Sequence, residues 1–416
     1  MSASQFSRTI TRCTSAAVSL LVVSVVCSLD AQAQIAVRAD TIYTMAGQPI
    51  KDGVVLIRSG KIDQVGPAST VRIPEGFQII NARVVTPGLV DAHSVVGLSG
   101  ALNQPHDQMQ VERSAPIQPE LRAIDSYDAR EKLIGWLRSH GVTTMHTGHG
   151  PGSLISGQTM IVKTVGDEVE EAVIVPAAMV AATLGDDALI QGGKPPGTHA
   201  KMIAMLRAEF QKAKEYDAKQ AAAKEDSKPI RDLRLETLAR VLKGELPLLV
   251  TVHRAHNIVS ALRLAKEFQI KLILDGASEA YTVVDQIKAA NVPVIVHPTM
   301  QRAGGETEHL SMETAATLRK AGIPIALQSG FEGYVPKTRV VLFEAAVAAA
   351  NGLTFEEALG SITIDAARML GIANRVGSLE SGKDADLALF DGDPFEYTSH
   401  VVKVIINGRV VSEETR

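Results

Sequence analysis

The chain has 416 residues, of which 45% are hydrophobic, 21% charged and 4% aromatic, a composition typical of globular proteins. This length allows one large hydrophobic core and a smaller one. The formal net charge of -4 and the absence of basic runs argue against nucleic acid or another polyanion as a partner.

The N-terminus has the pattern of a cleavable secretory signal. Arg8 and Arg12 provide a positive start, residues 16–29 form an apolar core, and Ala31-Gln32-Ala33 matches an A-x-A cleavage site. The apolar stretch is shorter than the roughly 20 residues that a membrane span needs. We therefore expect residues 1–33 to be removed by cleavage after Ala33. The mature protein is then secreted or periplasmic and has no membrane span.

Both cysteines, Cys13 and Cys27, fall within this signal. The mature protein then contains no thiol, which excludes a disulfide, a cysteine nucleophile and a thiolate metal site. Any metal ion has to be held by histidine, carboxylate or lysine side chains.

The two ends of the mature chain predict β structure. Residues 34–83 contain short β-rich runs separated by turn signals, and the C-terminal residues 371–416 have the same texture. In the C-terminal segment, Asn407-Gly408 is the signal of a tight hairpin. We expect the two segments to form one composite β-sandwich domain.

The middle of the chain, residues 84–370, alternates strands and helices. From residue 246 onward, four apolar runs (248–252, 271–274, 292–296 and 323–327) are separated by helical segments. This pattern indicates parallel βα units whose sheet is covered on both faces, and it fits half of a (β/α)₈ TIM barrel. The charged segment 201–245 predicts a solvated helix pair.

Three motifs carry a resemblance to a known family. Residues 85–93 (VTPGLVDAH) resemble the first barrel strand of the amidohydrolase superfamily, and residues 375–387 (RVGSLESGKDADL) resemble its return into the β-sandwich. Residues 252–255 (VHRA), together with Glu279-Ala280-Tyr281, are similar to the imidazolonepropionase-like and prolidase-like branch. The resemblance implies a distorted (β/α)₈ barrel clasped by a small sandwich.

The resemblance also implies metal-assisted hydrolysis of carbon–nitrogen bonds. One or two divalent ions lower the pKa of a bound water to about 7 and polarise the scissile carbonyl. The family supplies a His-x-His pair from strand 1, a lysine or glutamate from strand 4 and histidines from strands 5 and 6. An aspartate from strand 8 takes the proton of the water.

This sequence departs from that set at three positions. His93 and His253 stand where the family has its strand-1 and strand-5 histidines. Val95 stands in place of the second histidine of strand 1, Gly276 in place of the strand-6 histidine, and Gly330 in place of the strand-8 aspartate. Because a catalytic ion normally keeps three protein ligands, the usual two-metal mechanism is not expected.

A remodelled site for one divalent ion, such as Zn²⁺, is the alternative. His93 and His253 are its predicted ligands, with Lys163, His146 and His297 as additional candidates because each lies at the end of a predicted strand. The glycine-rich segment 148–152 lacks the signatures of nucleotide-binding loops, so no nucleotide cofactor is expected.

Two functional hypotheses follow. One is an exported hydrolase of amide, cyclic amide or dipeptide carbon–nitrogen bonds with a reduced or remodelled metal site. The other is a catalytically inactive barrel that binds a small molecule or a partner, because a fold does not fix a function. Under the second hypothesis, Val95→His, Gly276→His and Gly330→Asp are expected to restore ion binding. A homo-oligomer is compatible with either hypothesis.

Overall fold

The computed structural model describes residues 34–102, 104–190, 192–224, 228–299, 301–330 and 340–416. The predicted secretory signal lies outside the described residues. Within the described ranges, no helix is both long enough and apolar enough to cross a membrane.

The described residues form a mixed α/β structure. Its strands are β1 (Ile35–Ile42), β2 (Ile50–Arg58), β3 (Lys61–Pro67), β4 (Gln78–Pro87), β5 (Leu89–Ser94), β6 (Val142–Thr147), β7 (Ile155–Gln158), β8 (Met160–Lys163), β9 (Val173–Val175), β10 (Val180–Thr183), β11 (Leu248–Val252), β12 (Leu272–Gly276), β13 (Val294–Val296), β14 (Ile325–Leu327), β15 (Leu387–Phe390), β16 (Val401–Ile406) and β17 (Arg409–Ser412). Its helices are α1 (Lys132–Ser139), α2 (Val169–Ala172), α3 (His199–Ala222), α4 (Leu233–Leu242), α5 (Ala255–Phe268), α6 (Val284–Ala290), α7 (Thr314–Lys320), α8 (Val341–Ala350), α9 (Phe355–Ser361) and α10 (Ile364–Met369).

Both ends of the described chain contribute to one seven-stranded sheet, in the order β17-β16-β15-β4-β1-β2-β3. Asn407 and Gly408 both have positive φ, 51° and 71°, and turn β16 into β17 as the hairpin signal predicts. A Cβ at Gly408 would lie 2.9 Å from the Cα of Gly60, so the tips of two hairpins of this curved sheet touch. Hydrogen bonds join these strands into one continuous sheet, and the two-layer sandwich stays a prediction.

The middle of the chain forms two further sheets. Strands β10 to β14 are parallel neighbours, with β7 added antiparallel at the β10 edge. Strands β5 and β6 are parallel and continue into antiparallel β8 and β9. A parallel bridge between Ser94 and Gly330 places the end of β5 beside the end of β14. Among the described residues, strand pairing does not close these sheets into a continuous barrel.

The predicted helix–strand series is confirmed where its periodicity is regular. Every residue of β5, β6 and β12 is buried, as expected for strands covered on both faces. The carboxyl ends of β5 and of β11 to β14 meet at one edge, which positions the polar residues described below. The predicted helix pair is also present as α3 and α4, and α3 buries one face through Met202, Leu206, Phe210 and Ala213.

Candidate functional site

A cavity of about 40 Å³ lies at the carboxyl ends of the parallel strands. This volume accommodates a few water molecules. Two of the lining residues are histidines, and two are glycines at positions where the family resemblance implies ligands. The polar and glycine residues of its wall are His93, Ser94, Thr251, Asp275, Gly276, His297, Gln328 and Gly330.

His93 is held by a buried carboxylate. Its Nδ1 lies 3.1 Å from Asp275 Oδ1, and its Nε2 is buried with no hydrogen-bond partner. Asp275 also accepts hydrogen bonds from Thr251 Oγ1 and Gln328 Nε2, both at 2.6 Å. An ionised carboxylate can only accept a hydrogen bond, so Nδ1 of His93 carries the proton that is shared with Asp275. When the ring is neutral, the lone pair of Nε2 therefore remains for another partner.

The charges of this pair stabilise each other. Burial alone would raise the pKa of Asp275, but the imidazole of His93 and the donated hydrogen bonds lower it to about 2. Burial would likewise lower the pKa of His93, but the carboxylate of Asp275 outweighs it and raises that pKa. The protonation of one member of the pair therefore depends on that of the other.

His253 follows β11 and has a similar anchor. Its Nδ1 lies 2.7 Å from Ser278 Oγ, and burial lowers its pKa, so the ring is neutral near pH 7. The ring packs directly on Gly276, where a Cβ would lie 2.6 Å from His253 Cε1. The imidazole thus occupies the space that a side chain at position 276 would need.

The ring of His297 packs on Gly330 in the way that the ring of His253 packs on Gly276. It follows β13 and lines the cavity, and a Cβ at Gly330 would lie 2.4 Å from His297 Nε2. Both Gly276 and Gly330 have positive φ, 76° and 73°, a conformation that residues with a Cβ rarely adopt. A side chain at either position would therefore strain the backbone and meet a neighbouring ring.

His146 is a structural residue in this arrangement. Its Nδ1 lies 2.8 Å from the carbonyl oxygen of Ala92, and its Nε2 lies 2.6 Å from Thr159 Oγ1. Burial lowers its pKa to about 3, so the ring is neutral and both nitrogens are in use. His146 was a candidate additional ligand, but neither of its ring nitrogens is left to bind a metal ion.

Lys163 lies away from the histidines, which corrects its candidate role as a ligand. Strand β8 runs antiparallel to β6, so its last residue lies toward the start of β6 rather than the end. The ammonium group lies 2.8 Å from Asp384 and 2.9 Å from Asp386, and it also donates to Asn407. These partners belong to the region of the seven-stranded sheet.

The residues at the cavity do not fit the family's pair of metal ions. Val95, Gly276 and Gly330 offer no donor atom, and the two glycine positions are filled by neighbouring rings. Among the described residues, three His, Asp or Glu side chains have ligand atoms within 4.8 Å of one another at Asp186, His199 and Glu306. None of these three residues lines this cavity. The buried Nε2 of His93 does suit one ion, because metal-binding histidines usually donate their other nitrogen to a carboxylate.

Sequence analysis missed the buried carboxylates. Asp275 is the polar end of the apolar strand β12, and Asp91 is a fully buried residue in β5. Asp91 Oδ1 accepts from the backbone nitrogens of Ser329 at 3.0 Å and His93 at 3.3 Å. The sequence did contain a signal for these two residues, because each is a single charged residue inside or near the end of an apolar strand. A charged group that is buried in this way needs a partner, so it indicates a polar site.

We predict that Asp91→Asn makes stability less sensitive to pH. Burial raises the pKa of Asp91 to about 7. The folded protein then keeps a proton that the unfolded chain loses near pH 4, so this residue lowers stability as pH rises from about 4 to about 7. Asparagine keeps the accepting oxygen without titrating.

Urea denaturation at pH 5 and pH 8 measures this effect. The free energy of unfolding of the variant, relative to that of the parent protein, is expected to be about 2 kcal/mol higher at pH 8 than at pH 5. The exposed Asp40→Asn is the matched control and is expected to show no such gain. If the free energies of unfolding of Asp91→Asn and the parent protein differ by the same amount at both pH values, the prediction is wrong.

Comparison with known proteins finds relatives that cover most of this chain. A model of the amidohydrolase family matches residues 284–412. The crystal structure of an amidohydrolase from Thermotoga maritima MSB8 has a TM-score of 0.86 and 30% sequence identity, covering 92% of this chain and 100% of that chain. An imidazolonepropionase from Rhizobium rhizogenes is 27% identical over an alignment of 377 residues that covers 82% of this chain and 87% of that protein. Amidohydrolase tasK from Hapsidospora irregularis is 26% identical over an alignment of 400 residues that covers 86% of this chain and 39% of that protein.

The fold and the polar site at the carboxyl ends of parallel strands define the class, an α/β protein of a hydrolase family. More specifically, the chain belongs to the amidohydrolase family, as its motifs predict. It is an amidohydrolase-family hydrolase related to imidazolonepropionases. Metal dependence is typical of this family.

Proposed function

We propose that the protein hydrolyses carbon–nitrogen bonds of small amides or cyclic amides from a reduced centre at His93 and His253. The observation that carries this proposal is the anchoring of both rings. His93 is held through Nδ1 by Asp275, and His253 through Nδ1 by Ser278. Each ring therefore has a fixed orientation and leaves its Nε2 for a ligand.

The reduced centre holds at most one divalent ion. His93 and His253 are the residues that would hold it, and when bound it would lower the pKa of a water to about 7. Asp275 orients His93 and raises the basicity of its free nitrogen. When no ion is bound, the same lone pair of His93 Nε2 can instead accept a proton from a water, and the carboxylate of Asp275 then stabilises the imidazolium.

Metal analysis combined with an activity screen tests this proposal. Purified protein is analysed for zinc and manganese and assayed with N-acyl amino acids, dipeptides ending in proline and five-membered cyclic amides. Turnover is expected for at least one class. His93→Ala and His253→Ala are each expected to lower kcat/KM at least about 100-fold, since even the partners of ligands contribute 10–100-fold.

His400→Ala is the matched control, because His400 is exposed at the edge of the seven-stranded sheet next to Asp391. This variant is expected to keep both activity and metal content. If all three variants keep the same activity, the assignment of His93 and His253 is wrong.

A second candidate function is binding without hydrolysis. The rings of His253 and His297 fill the positions of two replaced ligands, which favours a site without a metal pair. This candidate predicts that metal-loaded protein shows no turnover of any amide class while a small molecule still raises its melting temperature. The same purified protein distinguishes the two candidates.

The finer architecture and the location form part of the proposal. We infer a barrel of residues 84–370 clasped by a composite sandwich of residues 34–83 and 371–416, which the family membership supports. Export is supported by the N-terminal pattern alone. N-terminal sequencing of protein recovered from the periplasm or medium is expected to begin at Gln34, and an intact Met1 would refute cleavage.

A further inference from the structure

Three metal-binding side chains meet outside the cavity, and we call them the rim group. Asp186 lies in the loop after β10, His199 begins α3, and Glu306 lies in the loop after β13. One ligand atom from each residue lies within 4.8 Å of the ligand atoms of the other two. Three separate segments of the chain, up to 120 residues apart, therefore converge on one point.

The donor atoms of the rim group are poorly satisfied by the protein. His199 Nε2 has only long contacts, 3.4 Å to Asp186 Oδ1 and 3.5 Å to Asn257 Nδ2, beyond the usual range for hydrogen bonds. Glu306 Oε1 is buried without a hydrogen-bond partner. Glu306 Oε1, which has no hydrogen-bond partner, and His199 Nε2, which has only long contacts, thus belong to the same group. A cation between these residues would satisfy both atoms.

The backbone is arranged to admit the carboxylate of Glu306. Its Oε2 accepts a hydrogen bond of 2.7 Å from the backbone nitrogen of Asp186. A Cβ at Gly185 would lie 2.4 Å from the same oxygen, so a glycine is needed for this approach. Burial raises the pKa of Glu306 to about 7, and the charges of Asp186 and Asp187 act in the same direction.

We propose that Asp186, His199 and Glu306 form a site for one zinc-like divalent cation. With metal–ligand distances of about 2.0–2.2 Å, two ligand atoms on opposite sides of an ion are about 4 Å apart. The ligand atoms of the rim group lie within 4.8 Å of one another, which is compact enough for one ion. A mixed set of imidazole and carboxylate donors suits Zn²⁺. Three protein ligands also leave a coordination position for water or a substrate.

The rim group is distinct from the reduced centre but close to it in the fold. Asp187, the neighbour of Asp186, acts electrostatically on the partly buried ring of His253. Arg254 next to it acts on Glu306. An ion held here would use neither His93 nor His253 as a ligand, so the inference stands apart from the proposed function.

Zinc titration by calorimetry, with a zinc-edge diffraction map of the same protein, tests the proposal. The parent protein is expected to bind one Zn²⁺ at the rim group. His199→Ala and Glu306→Gln are each expected to weaken binding at least about tenfold, the lower range for the loss of a ligand's partner. His256→Ala is the matched histidine control, because its exposed ring is 6.0 Å from that of His199 and outside the group.

The outcomes separate this site from the reduced centre. Zinc at the rim group is expected to survive His93→Ala and His253→Ala, whereas zinc at the reduced centre would be lost in those variants. Asp187→Asn, which removes a neighbouring charge but no ligand, is expected to keep the rim ion. Absence of zinc density at the rim group, or unchanged affinity in both His199→Ala and Glu306→Gln, overturns the proposal.

Discussion

Lys163→Met is expected to destabilise the fold by about 3–5 kcal/mol while leaving metal content unchanged. The side chains of Lys163, Asp384 and Asp386 are each only 3% exposed. Asp384 keeps two other cationic partners, Lys61 at 2.5 Å and Arg375 at 2.9 Å. Asp386 has no such second cation among its described contacts, so methionine leaves its buried carboxylate unpaired.

The cost of this change therefore lies in Asp386. Burial already raises the pKa of Asp386 above that of an ordinary aspartate, even with Lys163 beside it. Removing the ammonium group is expected to raise that pKa further and to protonate the residue. Urea denaturation of Lys163→Met, of Asp386→Asn and of the double variant Lys163→Met/Asp386→Asn measures the effect.

The double variant is expected to recover a large part of the lost stability. Asparagine keeps an oxygen for the backbone nitrogen of Asn407, which donates to Asp386 over 2.8 Å. It removes the buried charge that lacks a partner, and the double-mutant cycle isolates the pair interaction. Equal stability of Lys163→Met and the parent protein would show that this ion cluster does not hold the seven-stranded sheet in place.

Local sequence patterns were sufficient for the regular part of the fold. The apolar run 248–252 is β11 residue for residue, and the following helix and strands match within a few positions. The Asn407-Gly408 turn was also predictable, because few dipeptides adopt positive φ at both positions. These features depend on periodicity and on local conformational preference.

The position of Lys163 was not predictable because it depends on strand direction. The sequence pattern predicts that Lys163 lies at the end of a strand, but it does not show in which direction that strand runs. The run 160–162 does form a strand, but β8 pairs antiparallel with β6. A reversed strand carries its last residue to the opposite edge of the sheet, where the acidic partners of Lys163 lie.

The cavity was predictable only in part. His93, His253 and His297 were placed at strand ends correctly, and the loss of donors at the glycines was readable from the sequence. The pairing of His93 with Asp275 joins residues 182 positions apart, which no local pattern reveals. The packing of the neighbouring rings onto Gly276 and Gly330 is likewise a property of the folded structure.

Gly330→Asp is expected to destabilise the protein by about 2–5 kcal/mol rather than to restore an ion site. A residue with a Cβ at a φ of 73° costs about 1–2 kcal/mol. The Cβ would also lie 2.4 Å from His297 Nε2, and overpacking of this kind costs roughly 1–3 kcal/mol. Gly276→His meets the same obstacles against the ring of His253. The expectation that ligand replacement restores ion binding is therefore revised.

Alanine variants separate the backbone cost from the packing cost. Gly371 has a φ of 74°, and no atom lies within 4 Å of the place that an alanine methyl group would take, so Gly371→Ala reports the backbone cost alone. Gly330→Ala is expected to lose about 1–3 kcal/mol more than Gly371→Ala in urea denaturation, because the ring of His297 has to move. If both variants lose the same stability, position 330 has room for a side chain. Zinc binding by Gly276→His/Gly330→Asp would then show that the metal centre was lost through side chains alone, with the backbone still able to hold it.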